Sequence, residues 1–469
     1  MSPAPRRAFR SGLLANGASQ FSQIVIQLAQ LPLLRHWFGE DSMSIWNQMI
    51  AINMVLSLQA LNVQQSVGNE MLMAEGRGER ERTVSLYNSG WNLLWLVTVP
   101  WLLVLLGVVQ VVSWQAFVQS DLVAARDLTI MASGLVLAAF FAQHTGMMDA
   151  GYRAGDKYAY GLIVITFLNI VEVACGLAMA HFTQSVAMYG VGYALGKLFS
   201  LVFTYFNLRA VVPWIPKAPS FQFRELPWPL LKEGLGYSAA VGSQVVANDG
   251  TKSTITQAMA SATIATNYSS MRTLARFASQ ISRAFSNILW VELARMLGRG
   301  EIKESRLLHR KASRVSFWIT LLVTGAMALA APTVYRLWLQ GDKLQFQPYV
   351  YAFIAGSIVL NSIWSVSYIV PMSINKGSRL GTIVFGFQAF MLIAVFMASR
   401  QWGLEGAAAA WFLNELVLCL YVTSRAFRVI DESPIEFWRA LLSPRAFYES
   451  LKKIKNRRGP GAPTVDDAS

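Results

Sequence analysis

Acidic residues are scarce in this chain: 26 Asp and Glu stand against 40 Lys and Arg in 469 residues, a formal net charge of +14. Cysteine is scarcer still. Cys175 and Cys419 both fall inside apolar stretches, which excludes a disulfide framework and a thiolate metal centre. The four histidines, His36, His144, His181 and His309, are scattered without ligand spacing, so no metal site is expected. No glycine-rich phosphate loop or Walker-type Lys-Ser/Thr motif occurs, so nucleotide hydrolysis is excluded and no cofactor is expected. Arg6, Arg7 and Arg10 precede the first apolar stretch, but no short apolar core with a small-residue cleavage site follows, so a removable signal peptide is not expected.

What the chain does have is apolar surface. It is 54% hydrophobic and 14% charged, with a mean hydropathy of +0.39. That is too apolar for an ordinary soluble domain and fits a polytopic membrane protein. Apolar runs and turn signals predict twelve helices near 12–37, 46–67, 84–113, 128–148, 158–180, 187–208, 234–258, 265–291, 315–337, 348–372, 380–399 and 407–425. On the side of the N-terminus the connecting segments carry 30 Lys and Arg; the other side carries only Arg35, Arg126, Arg336, Lys343 and Arg400. The positive-inside rule then places both termini in the cytoplasm, and this distribution argues against nucleic acid as the partner of the excess charge. Trp37, Trp46, Trp114, Trp338 and Trp402 lie near the outer loops, where an aromatic belt belongs. Those loops are short, so no exterior catalytic domain, and no enzyme, is expected.

The chain repeats itself. Glu70-Met-Leu-Met-Ala-Glu-Gly76-Arg77-Gly78-Glu79 matches Glu292-Leu-Ala-Arg-Met-Leu-Gly298-Arg299-Gly300-Glu301 at an offset of 222. Ser22-Gln23 parallels Ser243-Gln244 at nearly the same offset. Six spans separate the copies, so they share orientation. The expected fold is an all-α membrane protein of about twelve transmembrane helices, in two parallel-repeat six-helix lobes around a central cationic cavity. The N-lobe covers 12–208 after a cytoplasmic N-terminus (1–11), a cytoplasmic linker covers 209–233, and the C-lobe covers 234–425. In the tail, 426–458, Phe437, Trp438, Leu441, Leu442, Phe447, Tyr448 and Leu451 alternate with basic residues, which reads as an amphipathic helix on the anionic inner leaflet. A disordered tail is expected over 459–469.

The eighth predicted helix carries Arg272, Arg276 and Arg283 at spacings of four and seven, which puts them within about 40° on one helix face. Each costs roughly 2.5–3.5 kcal/mol at mid-membrane, so the stripe reads as a passage for an anion, and guanidinium suits bidentate phosphate binding. Set against this, Arg283 could snorkel and the others pair with acids. The seventh helix carries Ser243, Gln244, Asn248, Asp249, Lys252 and Ser253, a polarity that fits the same cavity. Lys252 reads either as a phosphate ligand or as the bridge partner of Asp249; Asp249 reads as that partner or as a site for a coupling proton or Na⁺. Lys197 lies too deep to snorkel, leaving phosphate contact or pairing with Glu172 or Glu415, the other intramembrane acids and further candidates for ion coupling. His144 reads as an interior hydrogen-bonded histidine ahead of a proton relay. Helices one and two are lined by amides, among them Asn16, Gln20, Gln23, Gln27, Gln30, Asn53 and Asn62. With Gln244 and Asn248, Gln23, Gln27 and Asn53 are the candidate contacts for sugar hydroxyls; interhelical hydrogen bonding is the other reading.

The first helix ends Leu33-Leu34-Arg35-His36-Trp37-Phe38-Gly39, followed by Ile45-Trp46; with the stretch to Gly68 and the loops Ala74–Glu79 and Leu297–Glu301, this resembles the polysaccharide flippases of the multidrug/oligosaccharidyl-lipid/polysaccharide (MOP) exporter superfamily. The resemblance covers nearly all of 12–425. It implies a V-shaped transporter in a bacterial inner membrane that moves undecaprenyl-pyrophosphate-linked oligosaccharide to the periplasmic leaflet by alternating access. The pyrophosphate would lie at Arg272, Arg276, Arg283, Lys252 and Lys197. Implied partners are that lipid-linked glycan, membrane lipids and the polysaccharide polymerase and chain-length machinery. Relatives that flip peptidoglycan precursor have fourteen helices and charged first helices; this chain has neither. The runner-up is a cation-coupled multidrug exporter of the same superfamily, which three arginines on one face disfavour. A polymerase or ligase would need the exterior loop that is missing.

Overall fold

The computed structural model describes residues 11–448, apart from 13, 24, 27, 28, 31, 32, 35, 40–44, 47, 48, 50–61, 116–122, 217–227 and 340–344. Within helices, the side chains of 248, 249, 262, 263, 266, 277, 280–285, 287, 288, 338 and 339 also lie outside the description. The protein is all-α. Residues 14–23 are helical, and α1 (Val63–Gly76), α2 (Arg80–Val111), α3 (Ala125–Ala154), α4 (Tyr158–Thr183) and α5 (Met188–Val211) complete the first lobe. The second lobe starts with α6 (Trp228–Val245), a π-helical turn (Val246–Gly250) and α7 (Thr251–Met259). It continues through α8 (Ala262–Gly298), α9 (Ile302–Leu339), α10 (Pro348–Ser373) and α11 (Ser378–Ile430), and ends in the short α12 (Pro434–Leu441). Six of the described helices are long and apolar enough to cross a membrane by themselves. The helix that carries the arginines, α8, is not among them, because its polar face must be covered by protein or water.

The helix α11 is two spans. At Trp402 (φ −127°, ψ 15°) and Gly403 (φ +61°) the chain reverses, a left-handed conformation that glycine adopts without a Cβ penalty. The arms run antiparallel: Asn414 Nδ2 donates to Gln388 Oε1 at 3.1 Å, and Leu380, Val384, Leu418 and Val422 form one buried cluster. The hairpin fits the two spans expected at 380–399 and 407–425.

The sequence repeat is also a repeat in space. After Gly76 and after Gly298 the chain makes the same turn, with Gly78 at φ +79° and Gly300 at φ +75°. Each turn is clasped by its own ion pair, Arg77–Glu79 at 2.9 Å and Arg299–Glu301 at 2.7 Å. The guanidinium beside Glu301 holds its carboxyl below the usual range. The two copies then pack against one another. A Cβ on Gly76 would stand 2.7 Å from the carbonyl oxygen of Arg295, and one on Gly298 would stand 2.8 Å from Cα of Met73. Residues 73 and 295 are themselves an offset of 222 apart, so the contact is self-complementary about a pseudo-twofold axis.

This crossing closes one end of the molecule, here termed the basic end. Arg295 reaches across the lobes to Asp156 at 2.7 Å and to the carbonyl of Arg153 at 2.5 Å. Deeper in, Asn69 of α1 is wholly buried. It donates to Met372 O at 2.9 Å and Asn375 Oδ1 at 3.0 Å, and accepts from Trp290 Nε1 at 2.8 Å. Asn375 returns a bond to Ser66 O at 2.8 Å. The two buried amides of this seam, Asn69 and Asn375, each find partners on the other lobe, which is the condition for burying amides without penalty.

The tail packs in part on the helices beside it, while Ile435, Leu442 and Tyr448 stay exposed. The apolar face of α12 is largely spent on the protein itself: Phe437 and Leu441 are buried. Phe437 stacks on His309 with centroids 5.2 Å apart. Arg310 grips Glu432 through two nitrogens and also binds Glu436. Trp318 Nε1 donates to Leu441 O at 3.0 Å. The alternation of aromatic and basic residues that suggests a bilayer surface is equally the pattern of a strap on an amphipathic helix end. Leu451 and the residues after it lie outside the description.

Candidate functional site

A cavity of about 670 Å³ lies between the lobes above the seam. Arg272 and Arg276 of α8 line it, as the sequence pattern requires. Arg272 Nη1 donates to Ala247 O at 2.6 Å, and its guanidinium lies 4.7 Å from the centre of the Trp411 ring. Its acceptor belongs to the π-helical turn, whose wider winding leaves carbonyls off the regular helix ladder. The cation is thus held by a carbonyl and an aromatic face, and among the described residues no carboxylate lies within ion-pair distance of it. The side chain of Arg283 lies outside the description.

Glu415 of α11 faces the same cavity and is buried. Both of its hydrogen bonds fall on one oxygen, Oε2: Trp364 Nε1 donates at 2.7 Å and Asn361 Nδ2 at 3.3 Å. Arg153 and Asp149 line the cavity as well, joined at 3.1 Å. The described lining therefore carries three guanidiniums (Arg153, Arg272, Arg276) and two carboxylates (Asp149, Glu415), a net charge of +1. Around them stand three indoles, Trp290, Trp364 and Trp411, and a set of amides.

The amides are partly those expected. Asn16, Gln20, Asn62 and Gln244 line the cavity; Gln23 does not, and the side chains of Gln27, Asn53, Asn248 and Asp249 lie outside the description. For Gln30 the structural reading is the correct one, since its Nε2 donates to Tyr189 OH at 2.6 Å. Gln65, Asn361 and Gln388 line the cavity too; Asn361 and Gln388 stand in largely apolar runs and gave no periodic signal. Arg153 was hidden for another reason. Its place near a charged turn counts it as a loop residue, whereas α3 runs on to Ala154 and buries it.

Two candidate phosphate ligands are placed elsewhere. Lys197 Nζ pairs with Glu172 Oε2 at 2.6 Å inside the first lobe, and neither is among the residues that line the cavity. The closed pair answers the depth argument: two opposite charges on packed helices neutralise one another without reaching either surface. This removes Lys197 from the phosphate ligands and gives Glu172 a fixed partner in place of a coupling ion. Lys252 is exposed and also absent from the lining. It lies beyond the π-helical turn at Val246–Gly250, and the described lining from this segment stops at Ala247. His144, expected to be an interior histidine, is wholly buried, with Nδ1 2.8 Å from Phe140 O.

Solved structures match this architecture closely. One is a MATE in complex with MaD3S, at a TM-score of 0.77 and 14% identity, covering 91% of this chain and 96% of that one. A second is an outward-facing multidrug resistance MATE family transporter of the MOP superfamily, at a TM-score of 0.73, 14% identity and the same coverage. A third is the Vibrio cholerae MATE transporter VcmN, at a TM-score of 0.71 and 15% identity, covering 91% and 98%. The fold is that of the MATE transporters. No protein-family model matches the chain, and no curated protein does. The MATE fold accounts for the two six-helix lobes and makes the protein an integral, multi-pass membrane protein.

Proposed function

We propose that the protein is an alternating-access flippase that carries a lipid-linked oligosaccharide diphosphate from the inner to the outer leaflet of a bacterial inner membrane. The carrying observation is Arg272 in the cavity lining, bound by a carbonyl and an indole and, among the described residues, paired with no acid. Such a guanidinium is half-buried and already oriented, so a phosphate that exchanges for the carbonyl gains a charge-assisted bond. The surrounding amides offer donors and acceptors to sugar hydroxyls, and indole faces offer apolar bodies with one polar edge. The side of the connecting segments that carry 30 of the 40 Lys and Arg in the sequence is assigned to the cytoplasm together with both termini.

The runner-up, a cation-coupled multidrug exporter, draws more support from the fold comparison, since one matching structure is that of a multidrug resistance MATE family transporter. Glu415 supports it too, as a buried acid in the cavity. The net positive lining supports the anion instead. Arg272→Ala discriminates. A charge-assisted hydrogen bond is worth about 1.5–3 kcal/mol, so loss of one lowers substrate affinity about 10- to 100-fold. In cells that depend on this protein for surface polysaccharide, the variant leaves lipid-linked intermediates in the cytoplasmic leaflet while drug susceptibility stays the same. Stable, inserted variant protein with unchanged polymer and increased drug susceptibility selects the exporter.

A further inference from the structure

The first lobe carries a second concave feature, on a face of α3 that does not line the cavity. The helices α2 and α5 both pack on α3 and scarcely on one another, which leaves a furrow with α3 as its floor. One hollow along it, of about 660 Å³, runs past Arg126, Ile130, Leu137 and Phe141 on α3. A second, of about 460 Å³, follows farther along the same helix past His144 and Met148, between Trp91 and Trp95 of α2 and Phe206 and Arg209 of α5. On α3 the lining advances every three or four residues from 126 to 148, which is about 33 Å of helix, close to the hydrocarbon thickness of a bilayer.

The furrow opens outward. Its wall residues Phe206 and Val202 are 65% and 47% exposed, beside other exposed apolar side chains of α5, Leu195, Phe199 and Phe203. Each end carries an arginine: Arg126 at the opposite end and Arg209 at the basic end. Arg209 is pinned but not spent. Its Nη2 donates to Pro216 O at 2.9 Å and its guanidinium covers Tyr205 at 3.8 Å, while its buried Nε has no partner. Arg80 lies near the same level, over Trp214 at 4.9 Å.

We propose that this furrow is a binding site for phospholipid, with an acyl chain along the α3 floor and an anionic headgroup phosphate on Arg209. The charge of the site selects the headgroup. Its apolar walls take the chain, and its span matches the depth over which a bilayer offers one. Arg126 holds the corresponding headgroup of the other leaflet. The site does not depend on what the central cavity carries, because it lies on other helices and another face of α3.

The test uses the full chain, purified in mild detergent from membranes that contain phosphatidylglycerol and phosphatidylethanolamine, with retained lipid counted by native mass spectrometry. The expected result is selective retention of phosphatidylglycerol. Arg209→Gln lowers it about fivefold, the factor that corresponds to about 1 kcal/mol per basic residue at the headgroups. Arg209→Lys keeps the charge and keeps the lipid, which separates charge loss from local unfolding. Val202→Trp, at an exposed wall position, narrows the furrow and lowers retention without touching either arginine. Equal retention of both phospholipids, or undiminished phosphatidylglycerol in folded Arg209→Gln, overturns the proposal. So does displacement of the phospholipid by added polyprenyl phosphate, which makes the furrow a track for the carried lipid's tail.

Discussion

Adding a single methyl group at Gly76 and another at Gly298 tests whether the crossing of the repeats is what shuts the basic end. A Cβ at Gly76 falls 2.7 Å from the Arg295 carbonyl oxygen, and one at Gly298 falls 2.8 Å from Met73 Cα. Both obstacles are backbone, so no rotamer change relieves them. Overpacking of this kind costs about 1–3 kcal/mol per site, and the double variant therefore destabilises the closed seam by about 2–6 kcal/mol. A shift of about 5.5 kcal/mol carries a two-state equilibrium from 99:1 to 1:99, so the single variants open it in part and the pair largely opens it. The reporter is a cysteine at Ala294, fully buried against Leu72 and Val291, in a background without Cys175 and Cys419. Maleimide leaves it unmodified in the parent and modifies it in Gly76→Ala/Gly298→Ala. Full protection in an inserted, stable double variant refutes the assignment of this contact as the closing one.

Other outcomes follow from the same geometry. Lys197→Met alone strands Glu172 in the membrane and destabilises the first lobe by about 3–5 kcal/mol, whereas Lys197→Met with Glu172→Leu restores stability; thermal unfolding in detergent reads both, and transport by the double variant checks that the pair is not a phosphate site. Exchanging the charges of Asp156 and Arg295 preserves transport, and either reversal alone lowers it, because the ion pair spans the lobes; a transport assay over the double-mutant cycle measures the coupling. Arg310→Ala breaks the grip on Glu432 and Glu436 and frees α12, so limited proteolysis cuts near 430–445 faster while the rest of the chain resists.

Much of the architecture was legible because a bilayer leaves few options: long apolar runs, basic turns and a duplicated Gly-Arg-Gly-Glu turn each carry a strong signal. The face shared by Arg272 and Arg276 was legible for the same reason, since α8 is a regular helix there and a wheel applies. Lys252 was not, because the described lining from its segment stops at Ala247, short of it. Arg153 was not, because charge counting cannot tell a loop from a helix that runs on beyond the membrane. The partners of Glu415 were the hardest to foresee: Asn361 and Trp364 stand 54 and 51 residues away from it, and only the hairpin of α11 and its packing on α10 brings them together.

Met73 and Gly76 touch residues that are their own counterparts in the other half. A change in either copy is therefore felt by its twin, and the two halves cannot drift apart at this point as they have elsewhere. The surviving echo between them, faint through the rest of the chain, persists where duplicated segments still lean on each other.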